Sequence, residues 1–518
     1  MGVKKILPFL ILLLLAAGRA GAAVVAVYHT SDDHGWYSAR PAAWDKDNPR
    51  RLIGGFAALA AVLKKETTPY LLLDSGDMWQ GTPEGILTRG QASAVLMNQV
   101  GYAAAAPGNH DYDYGEGPMR DLARTARFPI LAANVYLKLG ETRPDYLKPY
   151  AVFERGGKRL AVFGLAGRHT ATSTRPENVK HLVFKDEAAE AAKLVPELKK
   201  VNPDAILALS HLGLSEEFST RRVDISTYVF QPDDAGTLRV ARAAPGIDLL
   251  LGGHNHAAFI KGWRDPVSGT VFGESGYGLS YVTRALLTFD DKSGKLTGIT
   301  VENLPLWVDE TGQDPDVLKT IAGYAAQVDK EMGQKVGWAM TDLLFSPDML
   351  DSGFGDLLCD LTREAAGTQL AFQNTKAIRH EILKGDVRLR DLYQALPFDN
   401  NIVTMRLTGA QVKQVLRDNI VGGKSFMQVS GLTVEFKTGA GGALEKLVVK
   451  YKGKEIKDAD EFTAATNDYL AFGGSGGAAF AGGRDVKDTL IPVRDVLINA
   501  FRKDPVGAPG AGRIKRVD

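Results

Sequence analysis

The strongest constraint on the fold of this chain is a recurrence: short polar segments follow closely on apolar runs of strand length. The runs cover residues 24–27, 70–73, 102–106, 205–209 and 247–251. After them come Asp32-Asp33-His34, Gly76-Asp77, Gly108-Asn109-His110-Asp111, His211 and Gly253-His254-Asn255-His256. Helical patterns such as 52–65 and 187–200 lie between, so the spacing predicts a layered α/β domain. In that architecture, side chains just past the carboxyl ends of neighbouring strands converge on one edge of the sheet. The converging set here is aspartate, asparagine and histidine, which suits borderline divalent cations that accept both oxygen and imidazole nitrogen.

A chain of 518 residues with 45% hydrophobic content is long enough for two cores. Two strand-like stretches, 282–289 and 299–306, close the first domain, and Asp314-Pro315 opens a helical run ending near residue 331 that serves as connector. A second unit begins near residue 336, with helices expected at 355–366 and 389–396, strands at 370–372 and 402–407, a turn at 439–442, and a Gly- and Ala-rich stretch at 471–483. At the other end, Lys4 and Lys5 precede an apolar run over 6–17 and the small residues Ala20-Gly21-Ala22, the pattern of a cleaved export signal over residues 1–22. The mature chain is then periplasmic or secreted, with no stable membrane anchor, because the run is shorter than the roughly 20 residues a bilayer span needs. Cys359 is the single cysteine, so no internal disulfide forms, and its helical setting reads as a small core residue. A net charge of +1 supplies no global field for nucleic acid or membrane, so phosphate recognition has to be local.

A pair of divalent ions about 3.5–4 Å apart needs one carboxylate able to bridge them, and Asp77 is the candidate. In this order, Asp-x-His, Gly-Asp, Gly-Asn-His-Asp, a later His and Gly-His-x-His resemble the calcineurin-like metallophosphoesterases. Thr30-Ser31-Asp32-Asp33-His34-Gly35, Asp74-Ser75-Gly76-Asp77 and Ile130-Leu131-Ala132-Ala133-Asn134 resemble, more narrowly, the exported 5′-nucleotidase/2′,3′-cyclic phosphodiesterase/UDP-sugar hydrolase family. The resemblance implies a four-layer αββα sandwich over residues 23–311, a linker helix over 312–335 and a smaller α+β substrate-specificity domain over 336–518. It implies that Asp32, His34 and His256 hold one ion, that Asn109, His211 and His254 hold the other, and that Asp77 bridges. His110, with Asp113 orienting it, forms the implied catalytic dyad, assisted by Asn109. The implied cofactors are two divalent ions drawn from Zn, Mn, Fe or Co, and the implied chemistry is in-line attack on phosphorus by a hydroxide that bridges them. His29, His169, His181 and His380 match no motif and read as structural or surface residues.

The carboxyl-terminal segments Asn374-Thr375-Lys376-Ala377-Ile378-Arg379, Leu396-Pro397-Phe398-Asp399-Asn400, Phe426-Met427-Gln428 and Asn467-Asp468-Tyr469-Leu470-Ala471-Phe472-Gly473-Gly474 resemble the same family's second domain. That resemblance implies Phe426 and Tyr469 sandwiching a nucleobase and Arg379 gripping phosphate. Three features depart from the family pattern: Lys376-Ala377 where two glycines are usual, Ser475 where an Asp would accept ribose hydroxyls, and Gly477 where an aromatic follows. The expected function is hydrolysis of nucleotide phosphate esters, with residues 312–338 as a hinge for domain closure. Two other readings stand beside it: a thiosulfohydrolase-like relative acting on a sulfur carrier protein, and a catalytically silent nucleotide-binding protein.

Overall fold

Two mixed sheets stacked face to face build the first domain, and their strand order explains why the polar segments meet. In the computed structural model, residues 23–517 are described except 43, 46, 231–235, 345–349 and 422–423. The export segment read over 1–22 lies outside the described residues. One sheet runs Leu296–Pro305, Tyr281–Phe289, Ala23–Thr30, Tyr70–Asp74, Ala104–Ala105, Ile130–Leu131 and Leu147–Lys148, with the last five strands parallel. The other runs Trp263–Arg264, Val271–Glu274, Leu249–Gly252, Ala205–Ser210, Lys158–Leu165 and Tyr150–Arg155, parallel through its four central strands. Val25, Val27, Leu71, Leu73, Leu207, Leu209, Leu249 and Leu251 fill the space between the sheets. These strands are buried on both faces, so they read as continuous apolar runs rather than as alternation.

Helices Phe56–Leu63, Gln91–Val100 and Glu116–Thr125 cover the outside of the first sheet. Glu187–Lys199 and Thr237–Ala243 cover the second. The result is an αββα stack of four layers. The helix expected from residue 52 starts only at Phe56, because Leu52–Ile53 pairs as a strand with Arg40–Pro41 and the two glycines that follow sit at positive φ. Gly54 is required there, since a Cβ would lie 2.8 Å from the Leu279 carbonyl oxygen. The run at 102–106 yields a strand only at Ala104–Ala105, flanked by the Ala103 and Ala106 N–H groups, which donate to the Leu72 and Asp74 carbonyls at 2.8 and 2.9 Å.

The connector is an α-helix over Pro315–Met332, capped by the Asp314 carboxylate, which accepts the Asp316 and Val317 N–H groups. Its Val317 and Ile321 are buried in the first domain's core. The carboxyl-terminal unit has a five-stranded sheet ordered Met427–Ser430, Leu370–Asn374, Glu461–Asn467, Asn401–Thr408, Arg484–Pro492, with helices Gly353–Ala366, Leu389–Ala395, Gly409–Asn419 and Val493–Lys503 packed around it. A four-stranded sheet, Lys454–Glu455, Leu444–Tyr451, Leu432–Thr438, Ile514–Arg516, completes it. Cys359 is fully buried on the Gly353–Ala366 helix. No helix among the described residues is long and apolar enough to cross a membrane.

The two units touch along the edge that carries the polar segments. Gln80 donates to the Pro397 carbonyl at 3.3 Å, Arg390 pairs with Glu84 at 3.1 Å, and Arg175 pairs with Asp468 at 3.5 Å. Tyr469 donates its hydroxyl proton to the Thr172 carbonyl at 2.9 Å, and the Ser475 N–H donates to the same oxygen at 3.1 Å.

Candidate active site

Asp77 is the centre of the polar cluster. Its Oδ1 accepts the His110 N–H at 2.8 Å, while Oδ2 lies 3.2 Å from His211 Nε2 and 3.6 Å from His34 Nε2. Both Asp77 Oδ2 and His211 Nε2 are buried, and apart from their mutual ion-pair contact neither makes a hydrogen bond. Two buried polar atoms left in this way are costly unless something binds between them. The imidazoles are turned to suit such a ligand. His34 Nδ1 faces the Gln80 carbonyl and His211 Nδ1 the Ser75 carbonyl, each at 2.6 Å. A carbonyl only accepts, so both Nδ1 atoms carry a proton and both Nε2 atoms point inward, where each can ligate once it carries none.

The other expected residues lie around this pair. His256 Nε2 is 3.2 Å from His34 Nε2 and 3.7 Å from Asp32 Oδ1. His254 Nδ1 is 3.0 Å from Asn109 Oδ1. Ligand-type atoms of Asp32, His34 and His256, and of Asp32, Asp77 and His211, lie within 4.8 Å of one another in each group. This donor set and its inward-facing nitrogens fit divalent cations.

Local backbone strain positions the set. Asp32, His34, Asp77, His254 and His256 all have φ between 48° and 77°, a region that costs about 1–3 kcal/mol for a residue with a Cβ. Hydrogen bonds between loops hold them there: Asp32 N–H to Gly76 O at 2.8 Å, His34 N–H to Asp77 O at 2.9 Å, and His254 N–H to Asp32 Oδ1 at 3.0 Å. The glycines of the Gly-Asp and Gly-Asn segments exist for the close approach of two loops. A Cβ on Gly76 would meet Gly108 N at 2.3 Å, and one on Gly108 would meet Asp77 Oδ1 at 2.2 Å.

Burial and mutual charge set the electrostatics. Burial pushes Asp32 up to about 7, although His211 pulls it down. Burial acts on Asp77 in the same direction, yet His211, His110 and His34 more than reverse it and hold its carboxyl well below the usual range. Burial would lower His211, but Asp77 and Asp32 raise it to about 10. His34 is lowered by burial to about 3, and His254 and His256 are also held well below the imidazole range.

His110 Nδ1 lies 2.7 Å from Asp113 Oδ2, and Arg379 Nη2 lies 2.8 Å from His110 Nε2. Arginine can only donate, so Nε2 is the acceptor and Nδ1–H donates to Asp113. Asp113 Oδ1 also accepts the Thr174 hydroxyl at 2.7 Å. Arg379 thus reaches from the second domain to the histidine of the first.

Two cavities open from the cluster. One, of about 530 Å³, is bounded by Asn109, His110, Asp113, His169, His254, Lys376, Arg379, Phe398 and Tyr469. The other, of about 380 Å³, opens on the far side of Asp77, His254 and His256. Tyr469 lines the larger cavity, but Phe426 lines neither. Its backbone is pinned between Asn419 O and Thr375 N–H, at 2.8 and 2.9 Å, and the ring is half-buried. Phe398 stands at the site instead, 5.4 Å from the His110 ring and 5.2 Å from the Arg379 guanidinium.

Several neighbours of the cluster have no role in the sequence reading. His169, read from the sequence as structural or surface, packs its ring 3.8 Å from that of His254 and lines the larger cavity. Thr174 orients Asp113. Asp111, the last residue of Gly-Asn-His-Asp, accepts N–H groups from Asp77 at 3.0 Å, Met78 at 2.9 Å and Gly108 at 2.8 Å, tying the two glycine loops together. Burial pushes Asp33 and Asp74 well above the carboxylate range, and the Asp33 oxygens have no hydrogen-bond partner.

The fold and this cluster define a metal-dependent phosphoric ester hydrolase. Residues 25–258 match the calcineurin-like phosphoesterase family, and residues 340–482 match the family of 5′-nucleotidase carboxyl-terminal domains. The protein UshA of Yersinia enterocolitica is 27% identical over 87% of this chain and 86% of its own length. A 5′-nucleotidase of Vibrio parahaemolyticus is 25% identical over 87% of this chain and 84% of its own. The crystal structure of a 5′-nucleotidase precursor from Thermus thermophilus superposes with a TM-score of 0.82 at 26% identity, covering 96% of this chain and 99% of that one. The sulfate thiohydrolase SoxB, also from Thermus thermophilus, has a TM-score of 0.75 at 19% identity, covering 95% of this chain and 96% of that one, which is a likeness of fold.

Proposed function

We propose that the chain is an exported nucleotide phosphohydrolase whose Asp32, His34 and His256 hold one divalent ion, whose Asn109, His211 and His254 hold a second, and whose Asp77 is shared. The observation that carries this is the orphaned Asp77 Oδ2, aimed at the Nε2 atoms of His211 and His34. Kinship with UshA and with 5′-nucleotidases supports nucleotides over a sulfur carrier as substrate. Retention of every ligand-type residue together with His110 supports an enzyme over a silent binder. The same reading divides the chain into 23–311, a linker over 312–335 and 336–518, and the Pro315–Met332 helix between the two cores supports that division.

Bound ions would lower the pKa of a coordinated water from 15.7 to about 7 and polarise the phosphoryl oxygens. The protein supplies the rest. His110, neutral and oriented through Nδ1–H by Asp113, presents Nε2 beside the Arg379 guanidinium. A phosphoryl group entering between them receives the Arg379 donors, and His110, on taking up through Nε2 the proton that the attacking water gives off, adds a second donor as charge grows on phosphorus-bound oxygen. Tyr469 and Phe398, on walls of the larger cavity, offer faces for a nucleobase, where stacking is worth roughly 1–3 kcal/mol. The test is a panel of AMP, cyclic nucleotide, UDP-glucose and p-nitrophenyl phosphate on metal-loaded and chelated protein. Hydrolysis that survives exhaustive chelation refutes the assignment, and equal loss on all substrates in Tyr469→Ala refutes the base site.

A further inference from the structure

The four histidines assigned to the ions are held in two different ways. His34 and His211 each turn Nδ1 to a backbone carbonyl at 2.6 Å. The ring nitrogens of His254 and His256 face Asn109 and His34 inside the cluster, and among the described residues no carbonyl backs either imidazole. An aromatic ring lies against each instead. Tyr277 stacks on His256, with centroids 4.6 Å apart and planes at 24°. His169 lies closer still on His254, with centroids 3.8 Å apart and planes at 33°. A ring face in contact restrains the plane of an imidazole much as a hydrogen bond to its distal nitrogen does, so His169 can do for His254 what the Ser75 carbonyl does for His211.

His169 is itself fixed. Its carbonyl accepts the Thr172 and Ser173 N–H groups, each at 2.8 Å, at the start of the short helix Thr170–Ser173. Gly167 approaches the ring so closely that a Cβ there would fall 2.0 Å from His169 Cε1. Its Nε2 is buried without a hydrogen-bond partner, so the contact the ring makes with the cluster is through its face. Direct ligation beside His254 does not fit that stack. The two rings carry their nitrogen lone pairs in separate planes and do not converge on one ion about 2.0–2.1 Å from each. The same segment backs a second assigned ligand: the Ser173 carbonyl faces Asn109 Nδ2 at 3.5 Å, which leaves Asn109 Oδ1 turned to His254 Nδ1 at 3.0 Å.

We propose that His169 is a positioning residue for the second ion: its ring, stacked on His254, fixes the plane in which His254 presents Nδ1 beside Asn109 Oδ1. The proposal rests on the assignment of Asn109, His211 and His254 to that ion, and it is independent of the substrate. It adds no step to the hydrolysis. Loss of the aromatic face frees the His254 ring to turn, so one ion is held less tightly. The ion assigned to Asp32, His34 and His256 keeps its ligands and the Tyr277 stack.

The experiment titrates the chelator-stripped full chain with Zn²⁺ in competition with a chromophoric chelator, in the unmodified protein, in His169→Leu and in His169→Phe, with circular dichroism as the check on folding. Leucine fills the space without an aromatic face, and phenylalanine keeps the face without the nitrogens. In His169→Leu one of the two affinities is expected to fall about 10- to 100-fold, the usual cost of losing a group that orients a metal ligand, and the other to stay as it was. His169→Phe is expected to restore the weakened one. Both affinities unchanged in His169→Leu, or both weakened equally, overturns the proposal. An affinity lost as fully in His169→Phe as in His169→Leu overturns it too, because a nitrogen and not the ring face would then be at work. Fewer than two ions bound by the unmodified chain refutes the two-ion assignment itself, a result distinct from two ions bound and neither lost.

Discussion

Replacing Asp113 by Asn probes the His110 dyad with a loss that can be worked from the coordinates. Asp113 accepts two hydrogen bonds, from His110 Nδ1–H through Oδ2 and from the Thr174 hydroxyl through Oδ1, each at 2.7 Å. An asparagine can keep its oxygen toward His110 and turn its amide toward the Thr174 oxygen, so both contacts survive. What disappears is the charge. A hydrogen bond to a charged group is worth about 1.5–3 kcal/mol against about 0.5–1.5 for a neutral one, so the imidazolium that forms in the transition state loses about 1–2 kcal/mol. That difference corresponds to a fall in kcat of about 5- to 30-fold. The His110 and Asp113 side chains are 9% and 11% exposed, so water replaces little of the lost interaction. The assay is steady-state turnover of AMP and p-nitrophenyl phosphate side by side. If His110 stabilises charge on the phosphoryl oxygens, the two substrates lose the same factor. A loss confined to AMP, whose alcohol is the poorer leaving group, would mean that His110 protonates the leaving oxygen. Unchanged turnover on both, with the structure retained, would refute the dyad altogether. Thr174→Val removes one neutral donor and is expected to cost less than Asp113→Asn.

Three further outcomes follow from the same coordinates. Asp77→Asn is expected to lower kcat by about 10²–10³-fold or more and to release metal in elemental analysis; full activity with both ions retained excludes Asp77 as the shared ligand. Metal uptake is expected to release protons, because Asp32 keeps its carboxyl proton up to about 7 rather than 3.8, and His211 keeps its imidazole proton up to about 10. Affinity should therefore rise with pH, more steeply below about 7 than above, and a weakly buffered titration at pH 6 that shows no acidification speaks against both residues as ligands. Cysteines at positions 172 and 475, whose backbones meet at 3.1 Å, are expected to lower turnover when oxidised and to restore it on reduction; equal turnover in both states removes domain motion from the cycle.

Much of the first domain was legible because its chemistry sits where its secondary structure changes. Each apolar run became a strand buried on both faces, and each polar segment became the loop at its end, so one periodic signal gave both layer and site. Asp77 stands out in the sequence because a pair of ions would need one shared carboxylate. His169 and Thr174 could not be singled out, since both stand in the short helical region at 169–174 and nothing local marks them. Phe398 and Phe426 show the same limit from the other side. Both lie in segments that resemble the family's second domain, yet backbone bonds to Asn419 and Thr375 pin Phe426, and Phe398 is the ring facing His110.

The amino-acid order by itself determined the layers, the ligand-type residues and the glycines of the two close-approaching loops, because these depend on periodicity and on local backbone freedom. Tertiary structure alone decided which nitrogen of each imidazole points inward, since that is set by carbonyls of Gln80 and Ser75 far away in sequence. It also decided that Arg379 meets His110, and that Arg40 becomes a buried cation beside the site. Those are consequences of two cores docking along one edge and of desolvation by distant segments, and neither leaves a periodic trace in the chain.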